Sequence, residues 1–311
     1  MKNILFLDTM HPYLEEELLK KGYNVVFDYT WPKEKIETII HQFDGLVLRS
    51  RFKIGSDFLD KALNLKFIAR GGAGLENIDV AYALKKGITC LHAPEGNRDA
   101  VGEHAIGMLL SLFNNLPRAD KQVREAVWIR EGNRGIELKG KTIGIIGYGN
   151  TGGALARKLK GFQVKVLAYD KYRVNYSDEY ATEASAEQIF EQADILSLHL
   201  PLTQETKYLV NSQYINNFKR NIFLINTSRG PVVNTEDLVE KIETGKILGA
   251  CLDVLEYEAV SFENLDKEKL PKAFQYLVNS DKVLLSPHIA GWTHESYYKI
   301  SQVLFNKICQ L

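Results

Sequence analysis

An α/β protein of two domains, each built on a parallel sheet, follows from three features of this 311-residue sequence. Short apolar runs alternate with helical patterns along most of the chain, the order that a parallel sheet flanked by helices requires. Two of those runs end in glycine-rich turns, Gly71-Gly72-Ala73-Gly74 and Gly147-Tyr148-Gly149. The length fits about two domains at roughly 150 residues each.

The elements are taken in chain order. Residues 3–7 read as a strand, followed by a helix in which Tyr13, Leu14, Leu18 and Leu19 are expected to share one face. Residues 25–27, 45–48 and 65–69 read as further strands, with a helical stretch over 36–41. Residues 100–114 form a long, very apolar helix that calls for cover from another domain or subunit. A second α/β series begins at Lys141, with strands expected over 142–146, 165–169, 195–199, 222–226, 249–252 and 283–285. The 295–308 segment is helical and is expected to pack back on the first block.

Composition narrows the function classes. Lys and Arg number 39 against 39 Asp and Glu, so a balanced charge gives no electrostatic reason to expect nucleic acid or a membrane surface as partner. The apolar run at the start stops at Asp8, too short for a signal-peptide core or a membrane span. Cys90, Cys251 and Cys309 are few, widely spaced and odd in number, which predicts no disulfide framework and no metal site. A cytoplasmic location is the expectation.

The glycine fingerprint is the strongest local signal. Gly147, Gly149 and Gly152 follow one expected strand and open a helix over 154–160. Such a turn lets the backbone approach a pyrophosphate, which the helix N-terminus then attracts. The next strand ends at Asp170, about 20 residues on, where a carboxylate would bond the adenosine ribose and repel a 2′-phosphate. NAD is therefore the expected cofactor, with Arg173 nearby as the one feature that would favour NADP. This is a Rossmann-like arrangement.

Three later segments place a polar residue just after an expected strand, where open α/β sheets hold their chemistry. They carry Arg229, then Asp253 with Glu256 and Glu258, then His288. A guanidinium grips a carboxylate through two parallel hydrogen bonds, which a lysine cannot do.

Together these residues resemble the D-isomer-specific 2-hydroxyacid dehydrogenase family from the first strand to the last helix. The resemblance rests on Arg70-Gly-Gly-Ala-Gly-Leu-Glu-Asn-Ile-Asp79, Val101-Gly-Glu-His104 and Glu137-Leu-Lys-Gly-Lys-Thr-Ile-Gly144. It extends through His199-Leu-Pro-Leu-Thr203, Asn226-Thr-Ser-Arg-Gly230, Leu252-Asp-Val254 and Ser286-Pro-His-Ile-Ala-Gly291. It implies two Rossmann-like or flavodoxin-like domains with a cleft between them. Residues 1–96 and 292–311 would bind substrate and residues 97–291 would bind NAD.

The resemblance makes His288 the general acid/base, Glu258 its partner and Arg229 the anchor of the substrate carboxylate. It implies that Asp253 bonds the nicotinamide carboxamide and that Asn150, Thr151, Leu200, Thr227, Ala73 and Gly291 line the cofactor. The amides of Gly72, Ala73 and Gly74 would complete carboxylate binding.

Val47-Leu-Arg-Ser-Arg51 is most similar to the phosphoglycerate dehydrogenase branch. That implies oxidation of 3-phospho-D-glycerate in serine biosynthesis, with Arg49, Ser50, Arg51 and Arg130 as candidates for the phosphate. A glyoxylate or hydroxypyruvate reductase would use the same Arg229, Glu258 and His288. An NAD-sensing corepressor that docks partner peptides is the alternative of another class.

Four features depart from the family pattern: Phe52, Ala259 in place of a frequent proline, Glu256 as a competing carboxylate, and a long stretch from Glu258 to His288. In that stretch residues 267–277 are expected to add a helix. The end at Leu311 predicts no regulatory amino-acid-binding domain. The apolar 100–114 helix and the 118–134 arm predict a homodimer joined through the nucleotide-binding domains.

Overall fold

The computed structural model describes residues 2–258 and 270–311. The chain divides into two compact units, Met1–Arg98 with Trp292–Leu311, and Asp99–Gly291.

The first unit holds β1 (Asn3–Phe6), α1 (Pro12–Lys20), β2 (Asn24–Phe27), α2 (Lys33–Ile39) and β3 (Gly45–Leu48). It continues with α3 (Ser56–Lys61), β4 (Phe67–Arg70), α4 (Val80–Lys85) and β5 (Thr89–His92). Its sheet is parallel throughout in the order β2-β1-β3-β4-β5. The central strand β3 is buried along its whole length, as a run of apolar residues between two helical layers must be.

The long helix α5 (Pro94–Phe113) opens with proline, whose missing N–H is no loss in a first turn. It starts earlier than the 100–114 expectation. The second unit holds α6 (Leu116–Arg124), β6 (Thr142–Ile146), α7 (Asn150–Leu159), β7 (Lys165–Tyr169), β8 (Thr182–Glu183), α8 (Ala186–Gln192) and β9 (Ile195–Leu198). It continues with α9 (Ser212–Asn216), β10 (Ile222–Asn226), α10 (Thr235–Glu243), β11 (Ile247–Leu252), α11 (Lys272–Asn279) and β12 (Val283–Leu285). The seven strands are parallel in the order β12-β11-β10-β9-β6-β7-β8.

The closing helix α12 (His294–Ile308) returns to the first unit. Its Ile300, Leu304 and Ile308 pack with Leu14 and Leu18 of α1. Leu19, expected on that face, is 50% exposed. One residue past Leu18 is about a 100° turn around the helix, which carries it off the buried stripe.

Two further expectations change. Helix α5 is covered largely within the second unit, where Ala105, Ile106, Met108, Leu109 and Phe113 join a core with Ile143, Ile145 and Leu155. The exposed apolar surface lies instead on α6 and the strap after it. The expected 267–277 helix is α11, displaced toward the C-terminus, and residues 267–269 lie outside the described residues. Among the described residues no helix is long and apolar enough to cross a membrane, and no group of three or more His, Cys, Asp or Glu is placed to hold a metal ion. Cys90, Cys251 and Cys309 are unbridged.

Candidate active site

Every chemistry-bearing segment of the second unit leaves the C-terminal edge of its sheet. The strand order reverses direction on either side of β6, with β9 on one flank and β7 on the other, and such a switch point is where open α/β sheets bind ligands.

The fingerprint turn joins β6 to α7, which begins at Asn150 and so takes in Asn150 and Thr151. Gly147 adopts φ +92°, and a Cβ there would lie 2.4 Å from the carbonyl oxygen of His199. Only glycine fits that position. A Cβ on Gly149 would meet nothing within 4 Å, so the turn faces open space.

Asp170, at the end of β7, accepts hydrogen bonds from the amides of Tyr148 (2.9 Å) and Tyr172 (3.0 Å). It thereby ties the turn to the neighbouring strand, and its carboxylate retains lone pairs for a ribose. Arg173 donates to the Tyr148 carbonyl from the other side of the same turn.

Thr151 is fixed by His199, whose ring stands 3.1 Å from the Thr151 hydroxyl and 2.9 Å from that of Ser197. Burial pushes the His199 imidazolium down to about 4, so the ring is neutral at ordinary pH. The next residue, Leu200, is half-buried against the core.

The Thr227 hydroxyl, just after β10, is buried with no hydrogen-bond partner. A buried hydroxyl without a partner calls for a ligand. The open glycine turn, Asp170 and this hydroxyl together fit a dinucleotide, with Asn150, Thr151 and Leu200 beside the turn.

Arg229 follows on the same loop. The Asn226 side chain shapes it, donating to the Arg229 carbonyl (3.0 Å) and accepting from the amide (3.0 Å) and hydroxyl (2.7 Å) of Ser228. One Arg229 guanidinium nitrogen donates to the Ser228 carbonyl at 2.7 Å. A Cβ on Gly230 would lie 2.0 Å from the Leu255 carbonyl carbon, so only glycine lets this loop approach the one after β11.

That second loop gives the two carboxylates different partners. Glu256 accepts from the amide (2.8 Å) and hydroxyl (2.7 Å) of Thr235, at the start of α10. Glu258 instead places Oε2 2.7 Å from Nδ1 of His288. Both members of that pair are partly exposed, at 27% and 22% of their side-chain surface. A carboxylate only accepts, so Nδ1 carries the proton and the ring is oriented with Nε2 as its other nitrogen.

His288 sits at φ +56°, a left-handed conformation that costs a non-glycine residue about 1 kcal/mol or more. Asp253 stabilises it. The His288 amide donates to the Asp253 carbonyl at 2.8 Å, and the Asp253 carboxylate takes the amides of Ile289 and Ala290, each at 2.8 Å, and the Ser286 hydroxyl at 2.6 Å.

Asp253 is 1% exposed. Its carboxylate is engaged inside the loop, a task beside the expected bond to the nicotinamide carboxamide. His104 completes this buried group. The Ser286 hydrogen goes to Asp253, so Ser286 Oγ accepts from His104 Nε2 at 2.9 Å. Sequence reasoning quoted His104 and Ser286 as motif residues without a role. Gly291 closes the loop.

In the first unit, Arg49 and Ser50 follow β3, and the amides of Arg49, Ser50 and Arg51 converge on one oxygen of Asp8 at 2.5, 3.2 and 3.3 Å. The Arg49 guanidinium lies 4.0 Å over the Trp292 ring. Burial pushes its pKa below the ordinary value, with Asp8 acting in the opposite direction.

Arg51, the other phosphate candidate on this loop, has partners of its own. Its guanidinium donates to the carbonyls of Leu7, Asp28 and Trp31 and lies 3.7 Å from the Asp28 carboxylate. Arg130 is exposed on the strap after α6. The Gly72 amide, expected to bind a carboxylate, already donates to the Arg70 carbonyl at 2.9 Å. Of the three expected amides, those of Ala73 and Gly74 have no acceptor among the described residues.

The profile of the D-isomer-specific 2-hydroxyacid dehydrogenase NAD-binding domain matches residues 106–290. The hydroxypyruvate reductase of Thermotoga maritima is 36% identical over 278 residues, which is 89% of this chain and 87% of that protein. The D-3-phosphoglycerate dehydrogenase of Bacillus subtilis is 32% identical over 308 residues, 97% of this chain but 54% of that protein, so the chain spans about half its length. The crystal structure of an Aquifex aeolicus D-lactate dehydrogenase complexed with NAD and lactic acid superposes with a TM-score of 0.82 at 27% identity, covering 99% of this chain and 94% of that one. The chain belongs to the D-isomer-specific 2-hydroxyacid dehydrogenases, oxidoreductases that use NAD.

Proposed function

We propose that this chain oxidises 3-phospho-D-glycerate to 3-phosphooxypyruvate in serine biosynthesis, with NAD as hydride acceptor. The observation that carries the choice of substrate is Arg49. Its half-buried guanidinium, over Trp292, makes no ion pair within 4 Å among the described residues, and a partly desolvated cation of that kind suits a phosphate.

The residues then divide the work. NAD held at the fingerprint turn would supply the acceptor for the carbinol hydride, and its donor in the reverse direction. His288, oriented by Glu258, accepts the hydroxyl proton at Nε2. The Arg229 guanidinium grips a carboxylate and polarises the developing carbonyl oxygen. In the first unit the amides of Ala73 and Gly74 are the donors suited to a carboxylate. Asp170 favours NAD over NADP by repelling a 2′-phosphate.

One observation favours a second reading. With Arg51 engaged by Asp28 and three carbonyls, a phosphate would find one cation here rather than two, which suits an unphosphorylated acid such as hydroxypyruvate or glyoxylate. The test is NADH formation with 3-phospho-D-glycerate beside D-glycerate, with NAD and NADP in parallel. The proposal expects kcat/KM at least about tenfold higher for the phosphorylated acid, the order of one charge-assisted contact. Equal rates move the protein to the reductase reading with His288, Glu258 and Arg229 unchanged.

A homodimer belongs to the same proposal. Trp128 is 78% exposed, beside half-exposed Val123 and Ile129 and following Leu116 on α6. A second copy covering that apolar strap would remove a surface that a lone chain leaves to water. Light scattering that gives a monomer mass at micromolar concentration would exclude it.

A further inference from the structure

The glycine turn after β4 is held at the end of β3 and at the end of β5. Gly71 donates to the Leu48 carbonyl and Gly72 to the Arg70 carbonyl, which closes the turn on the sheet. Beyond them two carbonyls are tied to the end of β5. The Gly72 oxygen accepts from the Ala93 amide at 2.8 Å, and the Ala73 oxygen lies 2.5 Å from Nδ1 of His92. A carbonyl can only accept, so Nδ1 carries the proton and donates.

In a trans peptide the C=O and the following N–H point in opposite directions. Fixing the Gly72 oxygen therefore directs the Ala73 N–H away from β5, and fixing the Ala73 oxygen directs the Gly74 N–H the same way. Two successive amides aimed to one side form a nest for an anion, and these are the two amides of the turn that have no acceptor among the described residues.

The clip is itself braced. Lys307 of α12 donates to the His92 carbonyl at 2.9 Å and pairs with Glu95 at 3.0 Å. The last helix thereby fixes the end of β5, and β5 fixes the turn. His92 ends a half-buried strand and is one of 7 histidines in the chain. Nothing in the proton transfer assigned to His288 uses it.

We propose that His92 is a positioning residue for substrate binding: its Nδ1–H holds the Ala73 carbonyl and so aims the Gly74 amide at the α-carboxylate of the 2-oxo acid. The proposal rests on the reading of this turn as a carboxylate site, and not on whether the substrate carries a phosphate. Both the neutral Nδ1–H ring and the imidazolium donate this bond, so the clip holds in either state.

His92→Leu removes the donor at similar size. His92→Asn keeps it, because the asparagine Nδ2 stands as many bonds from Cα as the histidine Nδ1. The reading is reduction of glyoxylate and of methylglyoxal by NADH, together with NADH affinity from fluorescence. Methylglyoxal offers the reactive carbonyl without the carboxylate.

The proposal expects H92L to raise KM for glyoxylate about tenfold or more, the order of one hydrogen bond to a charged group. Turnover of methylglyoxal and the Kd for NADH should be unchanged, and H92N should restore most of the glyoxylate affinity. An unchanged glyoxylate KM in H92L overturns the clip. So does an equal loss on both carbonyl compounds that H92N leaves in place, which marks a purely structural histidine. A wild-type enzyme that does not prefer glyoxylate to methylglyoxal removes the carboxylate reading of the turn instead, and the clip with it.

Discussion

Glu258 stands 2.7 Å from the Nδ1 of His288, while Glu256, two residues earlier, binds the amide and hydroxyl of Thr235. Two carboxylates adjacent in sequence thus have unrelated tasks, one orienting an imidazole and the other anchoring the start of α10. Substituting each separately distinguishes them. Glu258→Gln should lower kcat about 10²-fold with little change in melting temperature, in line with the usual worth of general acid–base catalysis. Glu256→Ala should lower stability by about 1 kcal/mol, the order of a lost helix-end contact, with kcat retained. Steady-state kinetics beside thermal melts check both, and a fall in kcat for Glu256→Ala larger than for Glu258→Gln would reverse the assignment.

His199 makes the fold sensitive to acid in a defined window. Its folded-state pKa, pushed down to about 4 by burial, lies below the value of about 6.5 in the unfolded chain. Between those values the unfolded state binds a proton that the folded state refuses, so stability rises with pH and falls as pH drops from about 6.5 toward 4. The slope from this one group is at most about 1.4 kcal/mol per pH unit. His199→Gln should flatten the difference in unfolding free energy between pH 6.5 and pH 4.5 relative to wild type. Parallel denaturant titrations measure it, and identical slopes would exclude His199 as the source.

Cofactor choice should depend on Asp170. Its carboxylate is tied to the fingerprint turn through the Tyr148 amide, and Arg173 donates to the carbonyl of the same residue. Asp170→Ala removes the group that repels a 2′-phosphate and leaves Arg173 beside the turn. NAD affinity should fall about tenfold and NADP turnover should rise by a similar factor, as one or two charge-assisted contacts would give. Measuring kcat/KM for both dinucleotides decides it. Loss of both activities together would show Asp170 to be structural.

How much of this was legible in the sequence depends on whether the signal was local. The largely buried strands β3, β6, β7 and β10 announce themselves as apolar runs, which is what burial on both faces demands. The strand β5 does not: its Thr-Cys-Leu-His sequence is only half-buried and carries no such run, and β8 is two residues long. His288, Arg229 and the glycine fingerprint were readable because each follows a strand end. Their supports were not. Ser286, His104 and Asp253 meet across long sequence separations, and His92 acts on a backbone oxygen, an acceptor that no side-chain pattern reveals.

Arg49 and Arg51 illustrate the same limit, and they give the sharpest test of the substrate. In sequence they are equivalent cations after one strand. In the structure Arg51 is bound by three carbonyls and the Asp28 carboxylate, whereas Arg49 rests on Trp292 with no ion pair within 4 Å among the described residues. Arg51→Gln should therefore lower stability by about 1–3 kcal/mol, because it leaves buried acceptors unpaired, and should not alter the ratio of kcat/KM for phosphorylated over unphosphorylated acid. Arg49→Gln should leave the melting temperature nearly unchanged and reduce that ratio about tenfold or more. Thermal melts and kinetics with 3-phospho-D-glycerate and D-glycerate on both variants measure the contrast. A ratio that falls with Arg51→Gln but not with Arg49→Gln would assign the phosphate to the wrong face of this loop and would require Arg51 to leave Asp28 when substrate binds.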